Sequence, residues 1–246
     1  MTKAAESVPR TLAVVIAVAL FCSAMVSGAV YLLRPIQAAY ALLERNRTIV
    51  EVAYGAGERT DADVVQAFLA LDARVLDLES GEYVPAMDSY GFDHWSQERV
   101  EQGATRRVPI YFVTRKDARA YLVLPVEGPG MWSTLQGYVG LQADLQHIAT
   151  LGIFRHGETP GIGDRIQNRD WLSAWHDKQI VDAAGAVLIS GVKSEGAITA
   201  YQIDLITGAT ITSSAVVRLV SNWFGEAGYG PWLARLRADE PARGVK

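Results

Sequence analysis

The chain has 246 residues, half of them hydrophobic, with 23 Lys and Arg against 27 Asp and Glu and a formal charge of −4. That balance argues against nucleic-acid binding, and a single cysteine excludes a disulfide framework, an iron–sulfur centre and c-type haem attachment. No internal repeat or low-complexity tract is present, which argues against a solenoid.

Residues 11–33 form the first element. They carry no charge and are dominated by Leu, Val, Ile, Ala and Phe, and at about 1.5 Å per residue they reach roughly 34 Å, enough to cross a bilayer. Lys3 and Arg10 precede the run as they would in a signal peptide. A signal core is only about 7 to 15 residues long, however, and Arg34-Pro35 stands where small residues would mark cleavage. An uncleaved transmembrane helix after a short N-terminus of residues 1–10 is therefore expected. Its orientation does not follow from charge, because Lys3 and Arg10 flank one side and Arg34, Arg45 and Arg47 the other. Cys22 lies inside the run and reads as a small apolar filler.

Beyond Arg34 stand 212 residues with 20 basic and 26 acidic side chains, enough for one well-packed domain. Residues 34–60 read as a helical extension, with a helix over 36–54 that tolerates Pro35 in its first turn, and residues 61–246 as the domain. Asp61 is a candidate cap for a helix through residue 71 with Val64, Val65, Phe68 and Leu69 on one face. Strands are predicted over 73–78, 109–114, 119–125, 135–141 and 147–154, the last two joined by a hairpin-length loop. Residues 169–176 read as helical, 197–204 as extended, and 212–227 as a helix. The fold class is α+β, an N-terminal transmembrane helix followed by a mixed, mainly antiparallel sheet domain. His94, His147, His156 and His176 lack metal-ligand spacing. No Gly-x-Gly-x-x-Gly fingerprint for a dinucleotide is present, and no Ser has a histidine at a catalytic spacing.

The chemistry concentrates before the last of these helices. Thr207-Gly208-Ala209 places small residues ahead of Thr210, so backbone N–H groups there can approach a bulky anion. Thr212, Ser213 and Ser214 are candidate N-caps, and a helix starting within two or three residues of Thr210 would turn its unpaired N–H groups and positive dipole end toward a phosphate. Taken alone, Thr-Gly-Ala-Thr reads more readily as only a strand-to-helix turn with a hydroxyl cap.

Asp204-Leu205-Ile206-Thr207-Gly208-Ala209-Thr210 resembles the Asp-x-x-Ser/Thr-Gly-Ala-Thr site at which a flavin transferase esterifies FMN to the last threonine. Gly157-Glu158-Thr159-Pro160-Gly161-Ile162-Gly163 resembles the Gly-Glu-Thr-Pro-Gly-Leu-Gly loop of the same family, with Ile162 for leucine. Gly130-Met131-Trp132-Ser133-Thr134 and Gly228-Tyr229-Gly230-Pro231-Trp232-Leu233 resemble its Gly-Leu-Trp-Ser and Gly-Phe-Gly-Pro-Phe-Leu segments. In order and spacing the four are similar to the covalent FMN-binding family, above all to the C subunits of Na+-translocating NADH:quinone oxidoreductases.

The resemblance implies FMN held by a phosphoester at Thr210, with Asp204, Thr207, Gly208, Ala209 and Thr210 read by the transferase. It implies an FMN site formed by Trp132, Glu158, Thr159, Pro160, Gly161, Ile162, Thr207, Gly208, Ala209, Thr212 and Ser213. Within it, Glu158 through Ile162 would line the isoalloxazine, with Thr159 as a donor and Ile162 packed on the ring. His156 adjoins that loop, and Lys193 reads as a solvated lysine. The implied partners are the other subunits of a membrane redox complex, including a second flavin-carrying subunit. The implied placement is a bacterial inner membrane with the domain on the periplasmic side. Electrons would pass from NADH toward ubiquinone in a sodium-exporting complex whose ion path lies elsewhere, because residues 11–33 have no charged side chain. Two alternatives remain at this level. One is the G subunit of Rnf ferredoxin:NAD oxidoreductases, which Gly163-Asp164-Arg165-Ile166 would suit. The other is an anchored sensory or assembly domain without electron transfer.

Overall fold

A computed structural model describes residues 8–85, 89–92, 95, 106–114, 120–182, 184–194 and 196–243. Lys3, His94 and Arg119, the first residue of the strand expected over 119–125, lie outside them. The chain divides into two compact units, with the boundary between Glu44 and Arg45.

Helix α1 (Val8–Tyr54) is continuous through Pro35 and contains the apolar run. Within the first unit its side chains are exposed, among them Leu12, Ile16, Leu20, Phe21 and Leu32. It is long and apolar enough to cross a membrane. The last turns of α1 belong to the second unit, where Ile49, Val50, Val52 and Ala53 are buried.

Helix α2 (Asp61–Leu69) is capped by Thr60, one residue before the expected cap. Thr60 Oγ1 accepts the Asp63 N–H and Asp63 in turn accepts the Thr60 N–H, a reciprocal capping box. Of the expected apolar face only Val64 and Phe68 are buried, while Val65 and Leu69 remain exposed. The helix has fewer than three turns and presents only one i, i+4 pair to the sheet.

The sheet is a five-stranded antiparallel meander in sequential order: β1 (Asp72–Asp77), β2 (Arg107–Phe112), β3 (Leu122–Pro129), β4 (Thr134–Leu141) and β5 (Ile148–Arg155). Strand β3 runs four residues past Pro125. The β2–β3 pairing covers only Tyr111↔Val123 and Phe112↔Leu122, so the missing Pro125 N–H falls beyond that ladder. A 3-10 helix (Gly163–Gln167) and helix α3 (Arg169–Ser173) follow, then β6 (Ser190–Val192), β7 (Gln202–Asp204), α4 (Thr210–Phe224) and α5 (Gly230–Arg243). Strands β6 and β7 pair in parallel. Strand β6 and helix α5 were not predicted, and α4 begins two residues earlier than expected.

Both faces of the sheet are covered, so its strands alternate between two apolar environments. On one face Leu122, Leu124, Val126, Leu135 and Val139 join Val216, Leu219, Val220 and Trp223 of α4 in one core. The end of α4 and the turn after it are fastened to β3 by two bonds to carbonyls, Trp223 Nε1–H to Glu127 at 2.7 Å and Tyr229 O–H to Pro125 at 2.6 Å. On the other face Tyr111 meets Phe68 of α2 at 5.7 Å between ring centroids. There the end of α1 approaches so closely that a Cβ on Gly152 would stand 2.8 Å from Thr48 Cγ2 and 2.9 Å from Val52 Cγ2.

Candidate functional site

Strand β7 delivers Asp204 to the start of the motif. Its Oδ1 accepts the Ser194 N–H at 3.1 Å, and its carbonyl accepts the Trp171 Nε1–H at 2.9 Å. The next turn is held by the Leu205 N–H on the Val192 carbonyl at 2.8 Å and by Arg165 Nη1 on the Thr207 carbonyl at 3.1 Å. Gly208 makes the turn at φ +86°, with open space where a Cβ would be. Arg165 and Trp171 escaped the sequence reading, because each grips a main-chain carbonyl and that leaves no residue pattern.

Helix α4 starts at Thr210 itself. Ala209 occupies the N-cap position with no side-chain bond, and the Ser213 N–H makes the first turn's bond to the Ala209 carbonyl at 2.9 Å. The N–H groups of Thr210, Ile211 and Thr212 precede that bond, so the positive end of the helix lies at the half-buried Thr210. The expectation that Thr212, Ser213 or Ser214 caps the helix is corrected, since all three lie inside it. Thr212 and Ser213 are 2% and 0% exposed, and their hydroxyls are already engaged. Ser213 Oγ accepts the Ile206 N–H at 3.1 Å and donates to the Ala209 carbonyl at 2.9 Å, which locks the motif against the helix.

Thr212 Oγ1 donates to Glu158 Oε2 at 2.7 Å. Glu158, only 4% exposed, therefore lies beneath the 157–163 loop, while Thr159, Pro160 and Ile162 stay at the surface. Both carboxylate oxygens of Glu158, a residue expected along the ring, are used inside the protein. Oε1 accepts the N–H groups of Met131, Trp132 and Ser133 at 3.1, 3.0 and 3.3 Å. Burial pushes this carboxyl's pKa up, but the Trp132 N–H, the Thr212 hydroxyl and the Ser133 and Met131 N–H groups outweigh it and hold the pKa below its ordinary value.

The glycines around Glu158 follow from this packing. A Cβ on Gly130 would stand 2.5 Å from Glu158 Oε1, and one on Gly163 would stand 2.8 Å from Glu158 Cβ. The loop closes on the Thr159 carbonyl, which accepts the N–H groups of Ile162, Gly163 and Asp164 at 3.2, 2.8 and 3.3 Å, with Gly161 at φ +77°. Ser133 Oγ accepts the Gly157 N–H at 2.5 Å, and His156 Nδ1 accepts the Glu158 N–H at 3.3 Å. Lys193 is exposed.

Three segments distant in sequence thus converge: the 130–133 turn, the 157–163 loop and the first turn of α4. Each leaves large apolar side chains in the open. Met131 and Trp132 are 47% and 69% exposed, Ile162 is 51% and Ile211 57%. Unpaired helix N–H groups beside a threonine suit a phosphate, and the exposed apolar side chains around them suit a flat aromatic ring. The residues present fit FMN.

Comparison with known proteins agrees. Residues 130–225, which contain all three segments, match the FMN-binding domain family. The chain is 35% identical to the C subunit of the Na+-translocating NADH-quinone reductase of Pseudomonas aeruginosa, over 96% of this chain and 98% of that one. It is 34% identical to the protein of the same name from Yersinia pestis, over 94% of each. The chain belongs to this family of C subunits. The crystal structure of Shewanella oneidensis NqrC shares the fold, with a TM-score of 0.72 at 24% identity over 81% of this chain and 99% of that one. The crystal structure of the corresponding reductase protein from Parabacteroides distasonis gives a TM-score of 0.66 at 22% identity over 82% and 96%.

Proposed function

We propose that this chain carries FMN as a phosphoester on Thr210 and passes electrons within a Na+-translocating NADH:quinone reductase, anchored by α1 in the inner membrane with its domain on the periplasmic side. The observation that carries the proposal is the position of Thr210. It is the last residue of the Asp204–Thr210 motif and also the first residue of a helix whose N-terminus has no side-chain cap.

Bound there, FMN would supply one- and two-electron chemistry; the remaining roles fall to the protein. The first N–H groups of α4 would hold the phosphate, and Gly208 leaves room for its approach. Glu158 fixes the 130–133 turn to the first turn of α4, so Trp132 and Met131 hold a set position relative to Thr210. Ile162 and Ile211 add apolar surface for the ring, and Thr159 and Pro160 lie at the loop's exposed edge. Asp204, Thr207, Gly208 and Ala209 form the segment read by the flavin transferase during maturation. Electrons enter from one redox partner in the complex and leave to a second flavin-carrying membrane protein of the same complex. The uncharged span of α1 makes it an anchor rather than a sodium path.

The test is to produce the full chain together with its flavin transferase and inspect a denaturing gel under ultraviolet light. Wild type should give a yellow-green fluorescent band. Thr210→Val should abolish it and Thr212→Val should retain it. A dark wild-type band in the presence of active transferase would refute the proposal.

A further inference from the structure

Arg165 stands out because its side chain's one hydrogen bond among the described residues reaches into the 204–210 motif from another element. Its Nη1 donates to the Thr207 carbonyl at 3.1 Å, across 42 residues of sequence. It projects from the 3-10 helix that continues the 157–163 loop, so it joins the outer loop of the site to the turn that presents Thr210. The side chain is exposed, and among the described residues no carboxylate forms an ion pair with it. A guanidinium has five N–H donors in a planar fork. The Thr207 carbonyl takes one of them, and the neighbouring Gly208 leaves its Cβ position empty out to 4 Å, room for an anion to reach the rest of the fork. Among the described residues Arg165 is the only cation bonded to the motif; Lys193 and Arg218, the nearest in sequence on either side, are exposed and make no hydrogen bond to it.

We propose that Arg165 is the counter-ion of the phosphoester on Thr210, an inference that rests on the function proposed above. A phosphodiester stays anionic at every physiological pH, and the partial charges of an uncapped helix end offset only part of that charge. A guanidinium already oriented by a carbonyl can add a forked bond to phosphate oxygens without first ordering its own side chain. Arg165 is then a positioning residue. It acts on the phosphate and leaves the redox chemistry to the ring.

The experiment uses the full-length chain in detergent, loaded by its transferase, in four forms: wild type, R165K, R165Q and R165E. Far-ultraviolet circular dichroism establishes that each is folded. Initial loading rates should fall about twofold in R165K, which keeps the charge but not the fork, about fivefold in R165Q and about tenfold or more in R165E, as expected for one exposed charge pair lost or reversed. In the loaded proteins the phosphorus resonance of the phosphodiester should shift in R165Q and return only in part in R165K. A purely structural role for Arg165 would not produce that pattern. Wild-type loading by R165E together with an unchanged phosphorus resonance in R165Q would overturn the proposal. A wild-type chain that carries no flavin-linked phosphorus would instead overturn the reading on which it rests.

Discussion

Glu158 and Thr212 are 54 residues apart in sequence and 2.7 Å apart in the structure, with the Thr212 hydroxyl donating to Glu158 Oε2. The other oxygen of the same carboxylate holds three consecutive N–H groups of the 130–133 turn. One buried acid thereby joins the segment bearing Trp132 to the helix bearing Thr210.

Removing that acid should cost stability. Glu158→Ala leaves three part-buried N–H groups and a buried hydroxyl without a partner, and about 3 kcal/mol of destabilisation is expected. Glu158→Gln keeps an oxygen for the N–H groups and should cost about 1 kcal/mol, and Thr212→Val about 1 to 2 kcal/mol. Urea unfolding of the detergent-solubilised full chain, followed by tryptophan fluorescence, checks the order. Equal stability of Glu158→Ala and wild type would show that the bridge carries no weight.

The same carboxylate sets a pH dependence. Its folded-state pKa lies below the ordinary value of about 4.5, so its contribution is fully present above that value. The contribution is lost as pH falls through the lower folded-state pKa. Unfolding midpoints between about pH 3 and 6 should therefore drop more steeply for wild type than for Glu158→Gln. Parallel curves for the two proteins would contradict the assignment.

Gly130 and Gly163 should resist substitution more than Gly161. Alanine at Gly130 would place its Cβ 2.5 Å from Glu158 Oε1, and at Gly163 2.8 Å from Glu158 Cβ. Each should destabilise by about 2 to 3 kcal/mol through overpacking. Gly161 faces open space at φ +77°, so Gly161→Ala bears only the left-handed backbone cost of about 1 to 2 kcal/mol. Thermal unfolding of the three variants gives the ranking.

Trp132 tests the ring's surroundings independently of its attachment. With 69% of its surface exposed and its backbone fixed by Glu158, it is available to stack on a flavin and quench its emission. Trp132→Ala should leave the covalent band intact on a denaturing gel while raising flavin fluorescence in the native protein about twofold or more, the mark of a lost aromatic stack. Unchanged native fluorescence would place the ring away from Trp132.

The sequence was informative where a local pattern mattered. Short apolar runs between turn residues placed the five strands of the meander, and the uncharged run of α1 was visible at once. The register of the motif against α4 was less accessible. Thr212 and Ser213 have the composition of N-caps, yet the buried bonds of Ser213 to Ile206 and Ala209 draw the helix start back to Thr210. Strand β6 is three residues long, too short to show a period. Helix α5 begins with Pro231 just inside its first turn, a start signal overlooked in the resemblance of that segment to a family ending. The site was legible as motifs but not as geometry. Glu158 is satisfied by main-chain N–H groups and Arg165 by a main-chain carbonyl, and such partners have no side-chain signature.

The central claim is a covalent bond at one hydroxyl, and tandem mass spectrometry of the protein purified from native membranes measures it. The peptide containing Thr210 should carry the added mass of one FMN less one water, localised to Thr210 and absent from Thr207, Thr212 and Ser213. An unmodified Thr210 in that peptide, or the added mass on a different residue, would contradict the account.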